Sequence, residues 1–175
     1  MKRQQLWIAL CAIAFLVPGV AQAQPTGTKP GPEHKILEDL VGTWEATMKM
    51  GNDEVKGTMT YKMELGGLWL VSTFQADLGG VKMEGKGYDS FDPIKKKYVG
   101  VWIDSMSASP LVLEGTADKD GKVVTMTGEG QGQDGKPAKY RTVTERKDKN
   151  NITFNLYTTG ADGKEQTMTI TYKRK

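Results

Sequence analysis

The feature that most constrains the fold is an alternation of apolar and polar residues with a period of two. Residues 55–63, VKGTMTYKM, place Val, Gly, Met, Tyr and Met on one face, and Lys and Thr on the other. The same alternation recurs in residues 80–88, 151–158 and 164–174. Because successive side chains of a β-strand point to opposite faces, each segment is predicted to be a strand with one buried and one wet face.

Tight-turn signals separate these segments at short intervals. The nine signals are Gly51-Asn52-Asp53, Gly66-Gly67, Gly79-Gly80, Asp92-Pro93, Ser109-Pro110, Asp120-Gly121, Asp134-Gly135, Asn150-Asn151 and Asp162-Gly163. Such short connections leave no room for crossover helices, so the strands must be antiparallel and up-and-down. About ten such strands form either a sandwich or a closed barrel. Closure removes the exposed edges, so the sequence favours a barrel.

One short helix is predicted before the first strand. Residues 33–41, EHKILEDLV, hold two pairs of apolar residues one helical turn apart. Pro32 suits the first turn of a helix, and Gly42 is the predicted stop. The single histidine, His34, lies in this segment, where we expect it to cap the helix or to lie at the surface.

The first 23 residues have the pattern of a secretory signal peptide. A basic start is followed by the apolar run 6–17, LWIALCAIAFLV, and by the small-residue site Ala21-Gln22-Ala23. The run is shorter than the ~20 residues that a membrane-spanning helix needs, so no membrane span is expected. The predicted organisation is therefore a signal peptide over 1–23, a flexible tether over 24–32 and one barrel domain over 33–175. A protein processed in this way is periplasmic or secreted.

Composition excludes several classes of function. The predicted signal carries two of the 24 basic residues and none of the 21 acidic ones, which leaves a net charge of about +1 beyond it. No basic stripe with interleaved aromatic residues is present, so a nucleic-acid partner is not expected. The only cysteine, Cys11, lies in the predicted signal, and one histidine without cysteine cannot form a structural zinc site. We therefore expect no metal and no cofactor, and a monomer.

Three stretches carry a resemblance to known proteins. The helix leads into Gly42-Thr43-Trp44 within LVGTWEATMKM, residues 40–50. A short helix before a G-x-W at the first strand resembles the calycin superfamily of lipocalins and fatty-acid-binding proteins. More specifically, PGPEHKILEDLVGTWEATMKM, LGGLWLVSTF and KKKYVGVWIDSMS resemble DUF1579, a family of secreted bacterial proteins of unknown function, over residues 31–174. The resemblance implies a calycin-like barrel and no established activity.

The calycin resemblance also implies a contact between the two ends of the barrel sequence. In such barrels a basic residue near the end of the last strand packs across the tryptophan of the motif. When an even number of up-and-down strands closes, the start of the first strand lies beside the end of the last. This places Arg174 next to Trp44, where a cation over an indole ring is attracted by ~0.5–2 kcal/mol. The alternative is that Arg174 is a solvated terminal residue.

Parity along the strands assigns a methionine-rich inner face. Seven of the eight methionines after Met1 fall on it. The interior candidates are Met48, Met50, Met59, Tyr61, Met63, Leu70, Phe74, Met83, Trp102, Leu113, Met126, Phe154 and Met168. Inner glycines, among them Gly57, Gly85 and Gly100, are expected to leave room. This predicts a cavity for a lipid-like or aromatic molecule. The alternative is a closed core in which methionine fills gaps and glycine marks bends.

The run YVGVWIDSMS, residues 98–107, is the most distinctive segment. Tyr98, Gly100, Trp102 and Asp104 share one face, so an inward Tyr98 and Asp104 could hydrogen-bond the head group of a ligand. The alternative is that Asp104 and the following serines form an Asx-type turn. The predicted ligand-binding set is Met48, Met59, Tyr61, Met83, Tyr98, Trp102, Asp104 and Met126.

Three functions remain open from the sequence. The first is an exported barrel that binds a small hydrophobic molecule. The second is an envelope interaction module whose core is solid and whose loops contact a partner. The third is an enzyme that uses carboxylate and tyrosine residues at the barrel rim, such as Asp104 and Tyr98. No Ser-His-Asp arrangement is recognisable, and the glycine-rich stretch 128–136 lacks the Gly-Lys-Ser/Thr ending of a phosphate-binding loop.

Overall fold

A computed structural model describes residues 29–50, 53–132 and 134–175. The predicted signal peptide and residues 24–28 of the predicted tether lie outside the described residues. In chain order the elements are α1 (His34–Glu38), β1 (Gly42–Met50), β2 (Asp53–Glu64), a 3₁₀ turn (Leu65–Gly67), β3 (Trp69–Asp77), β4 (Lys82–Asp92), β5 (Lys97–Asp104), β6 (Ser107–Ala117), β7 (Val123–Gln131), β8 (Pro137–Arg146), β9 (Asn151–Thr159) and β10 (Glu165–Arg174). Among the described residues, no helix has the length and apolarity needed to cross a membrane.

The ten strands form one closed antiparallel barrel. Each strand pairs with its neighbour in sequence, and β1 pairs with β10 to complete the ring. The closing register joins Trp44 to Arg174 and Met48 to Ile170. The predicted all-β, up-and-down barrel of ten strands with one short helix is therefore confirmed, and it is consistent with the calycin-like resemblance.

One predicted turn is wrong. Ser109 and Pro110 lie inside β6, and the chain instead reverses between Asp104 and Ser107. The carboxylate of Asp104 accepts the backbone N–H groups of Met106 (2.8 Å) and Ser107 (3.1 Å), which sets the reversal earlier than the proline suggests. A register shift lies between Trp102 and Asp104. Proline is tolerated in a strand at such irregular pairing.

The helix is shorter than predicted. It ends at Glu38 rather than at Gly42, and residues 39–41 continue as a turn. The carbonyl oxygens of Asp39 and Val41 accept hydrogen bonds from Arg174, and that of Leu40 accepts one from Trp44. The carbonyl groups of the turn are therefore engaged by side chains of β1 and β10. Sequence periodicity alone does not reveal such contacts.

The helix covers one end of the barrel, here called the closed end. Leu37 is buried there against Leu70, Tyr98 and Met126. A second buried cluster lines the walls formed by β1, β2, β3, β9 and β10, and consists of Trp44, Ala46, Met48, Met59, Phe74, Ile152, Ile170 and Tyr172. The hairpins between β3 and β4, β5 and β6, β7 and β8, and β9 and β10 lie at the opposite end, here called the mouth. The core is therefore densest at the closed end and along one wall.

Candidate functional site in the barrel lumen

The predicted interior residues lie on the inner face, at different degrees of burial. Met48, Met59 and Met126 are buried in the two core clusters. Tyr61 and Trp102 are half-buried. Met83 and Met168 are likewise half-buried and pack against the wall cluster. The neighbouring Val99, Val101 and Ile103 point outward, so the face of β5 that carries Trp102 is the inner one. The side chain of Met50 lies outside the described residues.

The inner glycines do not leave empty space as predicted. The ring of Trp102 lies over Gly85 and Gly87, so that an added Cβ at Gly85 would overlap it. Phe74 covers Gly57 in the same way, with ring atoms 3.0 Å from where a Cβ would stand. A flat aromatic ring on one strand packs well against the bare backbone of a glycine on its neighbour. These glycines therefore accommodate aromatic side chains.

Tyr98 and Asp104 do not form a joint head-group site. They stand six residues apart on β5, roughly 20 Å along a strand. The Tyr98 hydroxyl donates to the carbonyl oxygen of Glu33 at the closed end (3.0 Å). One oxygen of Asp104 accepts from Trp102 Nε1 (2.7 Å), and the other caps the β5–β6 turn. The Asx-turn interpretation of Asp104 is therefore the one that matches the structure.

The structure instead places a different carboxylate inside the barrel. Asp89 pairs with Leu70 on one side and with Gly100 on the other, and its carboxylate packs against the backbone of Gly100. Asp89 was not among the site residues predicted from the sequence. The sequence pattern could have identified it, because Asp89 is the next alternate residue after Met83, Gly85 and Gly87, which the same alternation assigns to the inner face.

Asp89 has no partner among the described residues. Burial alone raises the pKa of Asp89 to about 7, and neither a hydrogen bond nor a positive charge of a described residue offsets that effect. A carboxylate without hydrogen bonds is costly in a low-dielectric site, so the proton is held more tightly there. Near neutral pH this group can therefore either donate or accept a hydrogen bond.

Tyr61 lies near Asp89 and near a second tyrosine of the inner face, Tyr172. Burial raises the pKa of Tyr61 well above its usual range, and the nearby Tyr172 and Asp89 raise it further. Burial also raises the pKa of Tyr172. Tyr61 belongs to β2, Asp89 to β4 and Tyr172 to β10, so three strands bring these groups together. We call Asp89, Tyr61 and Tyr172 the lumen polar cluster.

The oxygens of this cluster keep some accessible surface. Among the described residues, the one fully enclosed side-chain polar atom without a partner is Nε2 of His34. The unpaired oxygens of the lumen polar cluster are therefore not fully enclosed. Their register on β2, β4 and β10 directs these oxygens to the inner face of the closed barrel. His34 itself is buried at the closed end rather than exposed, and its Nδ1 accepts the Gly31 N–H (3.1 Å).

Positive charge is confined to the closed end of the inner face. Within the described strands, Arg146 and Arg174 are the basic residues with inner-face register, and both have partners. Arg146 forms an ion pair with Asp39. Arg174 binds backbone carbonyls. The described residues contain no group of three potential metal ligands. On this part of the chain, the inner face therefore carries no free cation, and its Asp89 carboxyl group has no described partner, whereas that of Asp104 is engaged by Trp102 and the turn.

Arg174 joins the two ends of the barrel sequence. Its Cζ lies 4.0 Å from the ring centroid of Trp44. Its three nitrogens donate to the carbonyl oxygens of Lys149 (2.8 Å), Val41 (2.5 Å) and Asp39 (3.0 Å). The side chain thus ties β10 to the segment that leads into β1, and a solvated terminal arginine is not what the structure shows.

Gly42 has a steric role in this arrangement. Its φ of +135° is a conformation that other residues rarely adopt, and an added Cβ would lie 2.5 Å from Arg174 Nη1. Trp44, two residues later, is fully buried and donates from Nε1 to the Leu40 carbonyl (2.8 Å). Gly42 therefore leaves space for the guanidinium group of Arg174, and the ring of Trp44 packs against that group.

Two clefts lie outside the lumen. A groove of about 250 Å³ runs over the outer face of β5–β7 and is lined by Trp69, Val99, Val101 and Val112 among others. A second cleft of about 420 Å³ lies at the closed end between α1 and the loops after β4 and β6. Neither cleft contains a member of the lumen polar cluster.

Sequence comparison places the chain in a family. The profile of the family described as "Protein of unknown function (DUF1579)" matches residues 29–174. The chain belongs to the DUF1579 family. No curated protein matches it in sequence.

Three solved structures illustrate the similarity in fold. A redesigned β-barrel, b11L5F_LGL, is 18% identical with a TM-score of 0.45, and the match covers 80% of this chain and 95% of that one. EF1p2_mFAP2b bound to DFHBI is 12% identical with a TM-score of 0.47, covering 82% and 99%. A fluorescence-activating β-barrel of de novo design is 16% identical with a TM-score of 0.42, covering 79% and 96%. At these scores the likeness carries no inference about a ligand of this DUF1579 protein.

Proposed function

We propose that this DUF1579 protein is an exported barrel that binds a small, largely apolar molecule in its lumen. The observation that carries the proposal is the lumen polar cluster, one carboxyl and two hydroxyl groups that lack partners among the described residues. Tyr61 and Tyr172 belong to or pack against the buried apolar clusters, and Asp89 pairs with Leu70. Ligand sites in proteins are typically apolar with a few convergent polar groups that orient the ligand. Export rests on the signal-like pattern of residues 1–23.

The unpaired groups carry an energetic cost that a ligand would relieve. A buried polar group without a hydrogen bond costs on the order of 1–3 kcal/mol, and most such groups in folded proteins have a partner. Asp89, Tyr61 and Tyr172 would each gain one from a bound molecule. The half-buried residues Leu156 and Trp102 would contribute apolar surface on the same inner face.

A larger side chain on the inner face is expected to weaken ligand binding. Leu156 lies on the inner face of β9, opposite Thr142 and Met168, and belongs to neither buried cluster. We expect Leu156→Trp to weaken binding of the uncharged dye Nile red by at least tenfold, because the indole takes the space of the dye. The dissociation constant would be measured by fluorescence titration of the purified protein.

The matched control places the same residue on the outside of the same strand. Thr153 lies on the outer face of β9, opposite Thr171. Thr153→Trp should leave dye binding within about twofold of the parent. Loss of binding in both variants, or no binding to the parent, would count against a ligand-filled lumen. If water alone occupied the lumen, the parent protein would not bind the dye.

A second candidate function is favoured by the outer surface. Val71, Tyr88, Val101 and Val112 are direct cross-strand neighbours on β3 to β6, and Tyr88 and Val112 are exposed. This outer apolar row is a feature of interaction surfaces. Light scattering is the test: concentration-dependent self-association that Val112→Glu abolishes would assign the function to this face and contradict the predicted monomer. The pair that the sequence named for an enzyme, Tyr98 and Asp104, is apart, and both side chains are engaged in other hydrogen bonds.

A further inference from the structure

The interior carboxyl group, rather than either cleft, offers further chemistry. The residues that line the outer groove and the closed-end cleft include no carboxyl group of the inner face. Asp89 is inside the barrel, its carboxylate lies against the backbone of Gly100, and Leu70 is its fully buried cross-strand neighbour. Asp89 can therefore favour ligands that donate a hydrogen bond or carry a positive charge, and disfavour ligands with a negative charge.

We propose that the lumen selects apolar molecules that carry an amine, and that Asp89 accepts the hydrogen bond of the ligand's ammonium group. This inference rests on the proposed function. It names the chemical class of the ligand, which the proposed function leaves open.

The sign of charge in the lumen supports an amine. A ligand with an apolar chain and a carboxylate head would be repelled by the negative charge of Asp89. It would also find no free cation among the described residues, because Arg146 is paired with Asp39 and Arg174 binds backbone carbonyls at the closed end. Like charges in a low-dielectric site repel strongly, and unpaired charges are costly. An ammonium group would instead supply both the charge and the hydrogen bond that Asp89 lacks.

The groups around Asp89 allow its charge state to follow the ligand. Tyr61 on β2 lies near both Asp89 and Tyr172 of β10. The Tyr98 hydroxyl on β5 donates to the Glu33 carbonyl at the closed end, and the cross-strand neighbour of Asp89 on β3 is the apolar Leu70. The buried histidine of α1 lies at the closed end as well. None of these groups is a fixed cation. Burial raises the pKa of Asp89 to about 7, so the carboxylate is more abundant at pH 8 than at pH 5.

A matched ligand series tests the proposal. Octylamine, octanol and octanoate share one alkyl chain and differ in the head group, and each would be titrated against bound Nile red at pH 8. We expect octylamine to displace the dye at a concentration at least tenfold below that of octanoate, with octanol between them. The preference for octylamine should shrink at least threefold at pH 5, where Asp89 is protonated.

Two carboxylate variants assign the effect to one residue. Asp89→Asn should abolish the preference for octylamine and leave octanol within about twofold. Glu84→Gln changes an exposed carboxylate on the same strand as Asp89 and should keep the preference. Octanoate competing as well as octylamine, or a preference that survives in Asp89→Asn, would overturn this inference while octanol displacement still upheld a binding lumen. Absence of dye binding would instead reject the proposed function itself.

Discussion

Replacing Arg174 with alanine is expected to lower the free energy of unfolding by about 2–4 kcal/mol. The change removes three hydrogen bonds to the carbonyls of Lys149, Val41 and Asp39, and the contact with Trp44. Hydrogen bonds to charged groups contribute about 1.5–3 kcal/mol each when buried, and a cation over a ring adds about 0.5–2 kcal/mol. The expected loss is below their sum because Arg174 is half-exposed and solvent replaces part of each interaction.

Urea-induced unfolding at constant pH measures this loss. Lys173→Ala is the matched control, since Lys173 is the adjacent basic residue and is exposed on the outer face; it should change stability by less than about 0.5 kcal/mol. Arg174→Lys should recover only part of the loss, because an ammonium lacks the fork geometry that reaches three carbonyls. Equal stability of Arg174→Ala and Lys173→Ala would show that the closing contact contributes nothing.

Replacing Asp89 with asparagine is expected to stabilise the protein, increasingly so as the pH rises. The pKa of Asp89 rises from 3.8 to about 7 on folding. The folded state therefore binds this proton more tightly than the unfolded state, and stability falls as the pH increases from about 4 through 7. A shift of about three units corresponds to about 4 kcal/mol when the group is fully ionised, which is an upper bound for the gain from Asp89→Asn at pH 8.

Thermal unfolding between pH 4 and pH 9 checks the sign and the range. The stabilities of Asp89→Asn and the parent should converge near pH 4, where the folded parent holds a neutral carboxyl. Glu84→Gln alters a carboxylate on the exposed face of the same strand and should show no growing difference. A pH-independent gap between Asp89→Asn and the parent would mean that solvent hydrates Asp89 freely.

The two variants test different parts of the same molecule. Arg174 lies at the closed end, where tertiary hydrogen bonds join the last strand to the turn before β1. Asp89 lies within the lumen and has no described partner. Loss of stability at the first site and gain at the second would indicate that the closed end contributes to stability, whereas the interior retains an unsatisfied carboxyl group. Folded proteins commonly tolerate such local cost at functional sites.

The local pattern of the sequence was sufficient to predict the barrel. Alternation in segments such as 55–63 and 164–174 predicts strands, and the short turns between them require antiparallel neighbours. Closure follows because ten half-buried strands would otherwise expose two edges. The inner position of Trp102 follows from the same parity. These conclusions depend on the chemistry of adjacent residues, which is why one sequence suffices for them.

Predictions failed where distant residues determine the local geometry. Pro110 suggested a turn at residues 109 and 110. The chain instead turns between Asp104 and Ser107, where β6 begins, because the Asp104 carboxylate accepts the Ser107 N–H. Gly85 suggested free space, but the ring of Trp102, on the neighbouring strand, occupies it. In the first case the structure selects the Asx-type turn that the sequence had left as an alternative, and in the second the deciding atoms lie on a neighbouring strand. Parity cannot show which side chain fills a gap.

The sequence by itself therefore determined the strands, their antiparallel order, the inner and outer faces and the position of the motif that closes the ring. Only the tertiary structure decided that Asp104 is consumed by a turn, and that Asp89, Tyr61 and Tyr172 share the lumen without partners among the described residues. The physical reason is that hydrogen bonding and desolvation depend on distances between strands that are far apart in sequence. Periodicity reports which face a residue occupies, whereas the closed barrel decides what that residue meets there.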